Sequence, residues 1–210
     1  MTGSAAQVIG LAGPDGSGKS TTVRIVREQL SADGAAVAST YGYGCFVCRR
    51  MRPRAEAPGS SGSGSRRALW VRAHALIDAI ELGVRLLAAR QRAGVKARRR
   101  RVDGYGRPVP RIVVTDRSPL DGLVKYDLPP GALASRCFMA LARRYRAIVV
   151  LDAPAEVLAQ RDAEHPADQL ERVRATFARW RAGLPNVVAL DVTSAPPAQA
   201  IIDLLDRARH

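Results

Sequence analysis

The chain has 210 residues, 47% of them hydrophobic and 25% charged, a globular composition long enough for one compact domain with a real core. Lysine and arginine total 33 against 19 acidic residues, a formal charge of +14, so its partners include anions: phosphorylated ligands, nucleic acid or acidic membranes. Three cysteines, Cys45, Cys48 and Cys137, are too few and of the wrong parity for a disulfide framework, and no apolar run approaches the ~18 residues of a membrane span.

In chain order, residues 1–7 lack the basic and apolar regions of a signal peptide, which sets the expectation of a soluble, cytoplasmic protein. Val8-Ile9-Gly10-Leu11-Ala12 predicts a buried strand over 7–12. It runs into Gly13-Pro14-Asp15-Gly16-Ser17-Gly18-Lys19-Ser20, a G-x-x-x-x-G-K-S phosphate loop. Gly13, Gly16 and Gly18 let the backbone turn without Cβ clashes, so successive N–H groups can form an anion nest. Lys19 supplies a point charge for the β- and γ-phosphates, and the Ser20 hydroxyl can ligate Mg²⁺. The donor-binding set is Gly13, Gly16, Ser17, Gly18, Lys19, Ser20 and Thr21, with ATP and Mg²⁺ as cofactors. Val23, Ile25, Val26 and Leu30 then recur at helical spacing, which puts the phosphates at a helix N-terminus.

A second strand is expected at 36–41. Cys45-Phe46-Val47-Cys48 is a C-x-x-C with no second pair or nearby histidine to complete a zinc site, and reads as ordinary thiols. Residues 52–65, rich in Pro, Gly and Ser, read as a flexible loop. A long helix is expected from Arg66 to Gly94, with Leu69, Ala73, Leu76, Ile77, Ile80, Val84 and Leu87 as its apolar face. On that helix Glu81 and Arg85 read as a solvated pair, and His74 and Asp78 share a face without a third metal ligand. Lys96 to Arg101 and Gly104 to Pro108 read as a solvated basic loop, the sharper alternative being a phosphate or nucleic-acid contact. Further strands are expected at 111–116, 147–152 and 186–191, each ending in an aspartate, with helices at 154–162, 167–182 and 197–208. This alternation predicts a single α/β domain over 1–210: a five-stranded parallel sheet with helices on both faces and ligands at the carboxyl ends of the strands.

The third expected strand delivers Asp116 to the mouth of the sheet with Arg117 directly after it. A carboxylate there can hold Mg²⁺ through water, so Ser20 and Asp116 form the candidate metal set. A guanidinium beside it can grip the transferring phosphoryl group with a bidentate fork.

Taken together, the phosphate loop GPDGSGKST, the D-R after a strand, LDAPAEVLAQR and the following LERVRATFARW resemble, in order and approximate spacing, the thymidylate kinase-like branch of the nucleoside monophosphate kinases. The resemblance implies a P-loop kinase fold and a catalytic set of Lys19, Asp15, Asp116, Arg117 and Arg161. In it Asp15 reaches a sugar hydroxyl of the acceptor, and Arg117 bridges donor and acceptor phosphates. Arg161 and Arg172 flank a lid over ATP, and the loop from Thr193 to Pro196 touches adenine. It also favours a homodimer. The chain departs from the family pattern after the second strand, where YGYGCFVCRRMRPR replaces a basic acceptor-phosphate segment. It departs again at Ser118, which stands for the usual tyrosine, and at Gly16, where some members carry a catalytic arginine. DRSPLDGLVKYD is also similar to the E-R-S motif of deoxynucleoside kinases, whose acceptor is a hydroxyl.

The expected activity is transfer of the ATP γ-phosphate to a nucleoside monophosphate. The alternative acceptor is a hydroxyl of a nucleoside, sugar, aminoglycoside or other natural product, with Asp15 or Asp116 taking its proton. A nucleic-acid-associated NTPase is the reading of another class. Few aromatic platforms (5%) and arginines scattered along the chain speak against it.

Overall fold

In the computed structural model the described residues are 5–42, 64–100, 108–161, 164–193 and 197–207. Cys45, Cys48, residues 52–63, 101–107 and 194–196 therefore lie outside the described residues. The elements run β1 (Gln7–Ala12), α1 (Lys19–Ala32), β2 (Ala36–Tyr41), α2 (Gly64–Arg100), β3 (Arg111–Asp116), α3 (Pro119–Tyr126), α4 (Leu133–Ala142), β4 (Ala147–Asp152), α5 (Ala155–Arg161), α6 (Ala167–Arg181), β5 (Val187–Asp191) and α7 (Pro197–Arg207).

All five strands are parallel, in the order β2-β3-β1-β4-β5, as the alternation of strands and helices predicts. Side chains on each strand alternate between the two faces of the sheet. Ile9, Leu11, Ile112, Val114, Val149 and Leu151 pack with Val23, Val26 and Leu30 of α1 and Ile201 of α7. Val8, Val113, Ile148 and Val150 pack on the other face with α2, α3, α4 and α6, through residues such as Leu82, Leu123, Phe138 and Phe177. Both faces are covered, which is why these strands read as continuous apolar runs. Leu11 pairs with Asp116 and Asp116 with Tyr41, so the ends of three adjacent strands are level. That level edge carries the candidate site residues Ser20, Asp116 and Arg117.

Two expectations on α2 are corrected. The helix spans Gly64–Arg100, so it begins inside the expected loop and carries Lys96 and Arg98 to Arg100 as helix rather than loop. Lys96 Nζ donates to the Val37 carbonyl at 2.9 Å, tying the last turns to β2. The packed face is also not the expected one. Ala75, Ala79, Leu82, Leu86, Ala89, Ala93 and Ala97 are buried, whereas Leu69, Ile80, Val84 and Leu87 are exposed by 69%, 60%, 62% and 59%. Alanines let the helix axis approach its neighbours closely, so close packing selects the small-residue stripe over the more hydrophobic one. Helices α3 and α4 are additions to the expected pattern. Helix α3 is started by Ser118, whose Oγ accepts from the Leu120 N–H at 3.1 Å, with Pro119 in the first turn and Asp121 Oδ2 accepting from the Ser118 N–H at 2.7 Å. Among the described residues, no helix is long and apolar enough to cross a membrane.

Candidate active site

The loop between β1 and α1 turns as its glycines require, with φ of 139° at Gly13, 80° at Gly16 and 80° at Gly18, all in the left-handed region. Gly13 has a second constraint, because a Cβ there would lie 2.3 Å from the Leu151 carbonyl oxygen. Ser17 is buried and its Oγ donates to the Pro14 carbonyl at 2.8 Å, while Thr21 is exposed in the first turn of α1. Lys19 is only 6% exposed. Its Nζ donates to the carbonyls of Gly13 at 2.9 Å and Pro14 at 2.5 Å and lies 3.5 Å from Asp15 Oδ1. Burial and the nearby Arg117 hold its pKa below the usual lysine range, against the pull of Asp121 and Asp15.

Level strand ends bring the two expected metal ligands together: Ser20 Oγ donates to Asp116 Oδ2 at 2.7 Å. One hydroxyl and one carboxylate are hard oxygen donors of the kind that suits Mg²⁺, an ion that keeps several of its waters. The next residue, Arg117, has φ 73°, unusual for a non-glycine, and its side chain reaches Asp15 in the loop between β1 and α1. Arg117 donates from NH2 to Asp15 Oδ1 at 2.7 Å and from Nε to the Tyr41 hydroxyl at 3.1 Å, and NH1 lies 3.6 Å from Asp121 Oδ1. Burial opposes its charge, but Asp121 and Asp15 raise its pKa well above the ordinary value. Asp15, despite half-burial, is held below the usual carboxylate range by Arg117 and Lys19.

Beside these groups lies a cavity of about 310 Å³. Asp15, Arg117, Asp121, Lys125, His165 and Gln169 form its polar lining, and Val124, Leu170, Val173 and Phe177 its apolar lining. Sequence reasoning missed Asp121, Lys125, His165 and Gln169. His165, between α5 and α6, brings Nε2 to 3.8 Å from Asp15 Oδ2. Lys125 Nζ donates to the Tyr126 hydroxyl at 3.2 Å and pairs at 3.6 Å with the buried Asp78, which also accepts from Tyr126. Asp78 thus meets α3. No local spacing flags them: Arg117 lies ahead of α3 with φ 73°, so the four-residue steps from Arg117 through Asp121 to Lys125 do not follow one helix face.

Other expected residues sit apart. Arg161 ends α5, exposed and outside the cavity lining, and Arg172 makes an exposed pair with Asp168 at 3.2 Å. Arg174 has the closer role at the sheet edge, where its fork meets Asp152 at 2.7 and 3.1 Å and pins α6 to the end of β4.

No protein-family model and no curated protein sequence matches the chain. Among solved structures, thymidylate kinase from Ehrlichia chaffeensis matches over 99% of this chain and 100% of that one, with a TM-score of 0.54 and 15% identity. At that identity the likeness shows a shared fold: this chain has a thymidylate kinase-like α/β architecture.

Proposed function

We propose that the chain is an ATP- and Mg²⁺-dependent phosphotransferase acting on a small molecule in the cytoplasm. The observation that carries this reading is the cluster at the level strand ends: Lys19, the Ser20–Asp116 pair, and Arg117 beside Asp15. In the proposed roles, the loop from Gly13 to Thr21 and Lys19 hold the donor phosphates at the N-terminus of α1. Ser20 and Asp116 would hold Mg²⁺, which neutralises charge on the phosphoryl oxygens. Arg117 meets the transferring group, Arg161 closes toward the donor, and the acceptor occupies the cavity over Asp15.

A nucleoside monophosphate is the first acceptor class, on the resemblance and the shared fold. A phosphate acceptor requires no base. The second class, a hydroxyl compound, is favoured by the carboxylate and imidazole groups of Asp15, Asp121 and His165 on the cavity wall. Asp116 is engaged by Ser20, so for such an acceptor Asp15 is the group placed to take the proton. The test measures ATP consumption with nucleoside monophosphates, nucleosides, sugars and aminocyclitols as separate additions. A small acceptor should stimulate turnover. Stimulation by polynucleotide alone, surviving physiological salt, would replace the reading with a nucleic-acid-associated NTPase.

We infer further that two copies pair through α2. Residues 73, 77, 80, 84 and 87 advance by steps of four and three, the spacing of a two-helix seam, and Ile80, Val84 and Leu87 are each more than half exposed. Covering the exposed part of each such side chain contributes about 1–2 kcal/mol before the cost of association. Light scattering should report twice the 22.6 kDa chain mass, and the double change Ile80→Lys, Val84→Lys should return a folded monomer. A monomeric wild type at micromolar concentration ends this idea.

A further inference from the structure

We propose that Asp121 and Tyr41 are positioning residues that hold the Arg117 guanidinium at the mouth of the phosphate loop, an inference that rests on the phosphotransferase reading. The guanidinium is gripped at three corners: Nε–H donates to Tyr41 at 3.1 Å, NH2 donates to Asp15 at 2.7 Å, and NH1 faces Asp121 Oδ1 at 3.6 Å. The three partners arrive from the end of β2, the phosphate loop and the first turn of α3. Asp121 is itself anchored, its Oδ2 accepting from Ser118 N–H at 2.7 Å and from Ser118 Oγ at 3.1 Å. Its Oδ1 is buried, makes no hydrogen bond among the described residues, and faces Arg117.

A guanidinium on a four-bond stem loses considerable freedom when it must meet one arrangement of oxygens, and contacts made beforehand remove that loss from the reacting step. Asp15 has a second duty toward the acceptor and is 42% exposed, so it can turn away from Arg117. Asp121 and Tyr41 then keep the guanidinium in place. The groups facing Asp121 are Arg117 and Ser118 just ahead of its helix, Lys19 from the phosphate loop and Tyr145 from the segment after α4. Burial pushes the Asp121 carboxyl up to about 6 against the pull of Arg117 and Lys19. The grip on Arg117 therefore weakens as pH falls through that value.

The test follows MgATP turnover from pH 5 to pH 8 in the full chain, with water or an added acceptor, for wild type, Asp121→Asn and Tyr41→Phe. Asparagine keeps the shape and one oxygen for Ser118 but not the charge. Its kcat should fall by about 10- to 100-fold with KM for MgATP within about twofold, and the acid limb that Asp121 should give the wild type near pH 6 should vanish. Tyr41→Phe should lower kcat less and keep the limb. An Asp121→Asn protein with wild-type kcat and an unchanged limb overturns the proposal while leaving the phosphotransferase reading intact. Should that variant not fold, Tyr41→Phe decides, and an unchanged kcat overturns it. A wild type that neither binds nor consumes MgATP defeats the phosphotransferase reading itself, and the clamp with it.

Discussion

Lys19→Ala is expected to lower phosphoryl transfer by about 10²–10³-fold while leaving a folded protein, because it strips charge compensation from the β- and γ-phosphates. The buried ammonium adds little to stability. Burial and Arg117 depress its pKa, so the native environment disfavours its charged form. Removing the side chain deprives the buried Gly13 and Pro14 carbonyls of that donor, so a modest drop in melting temperature accompanies a fold that stays intact. Alanine is also a strong helix former at the start of α1. Transfer rates and a thermal melt are measured on the same preparation. Near wild-type turnover in a folded variant would falsify the phosphate-loop assignment.

Arg117→Lys should be impaired by about 10²-fold or more in kcat although the charge is kept. An ammonium cannot replace a fork that reaches Tyr41, Asp15 and Asp121 at once. The substitution is clean in the backbone, since both side chains meet the same strain at φ 73°. Donor affinity, measured separately by titration with an ATP analogue, should change far less than kcat. If kcat is unchanged, Arg117 merely ties β2, the loop and α3 together, and the argument from the D-R pair collapses.

The clamp around Arg117 was harder to read from the chain than the phosphate loop, and the reason is physical. Each loop residue acts through its own backbone or its immediate neighbours, so Gly13, Gly16, Gly18 and Lys19 declare themselves by spacing. Asp121 went unread: the helix start Ser118-Pro119-Leu120-Asp121 was not among the expected elements, and the carboxylate's face toward Arg117 depends on the left-handed turn at residue 117. Tyr41 read as the last residue of a strand and no more, until β2 was paired beside β3. His165 and Lys125 gave no local sign of the cavity they line. On α2, hydropathy favoured Ile80, Val84 and Leu87, while close packing chose the alanines.

By itself the sequence determined the five strands to within a residue, the parallel α/β class and the glycine turns of the loop between β1 and α1. These follow from patterns of two to eight residues: apolar runs, helical spacing, and glycines where φ must be positive. Tertiary structure alone decided the strand order β2-β3-β1-β4-β5 and the register that levels Leu11, Tyr41 and Asp116. It also decided which face of α2 is buried. Burial is a non-directional force that a single segment satisfies in several ways. Only the simultaneous packing of all segments selects one of them, and that packing brings Asp15, Tyr41, Arg117 and Asp121 to one place.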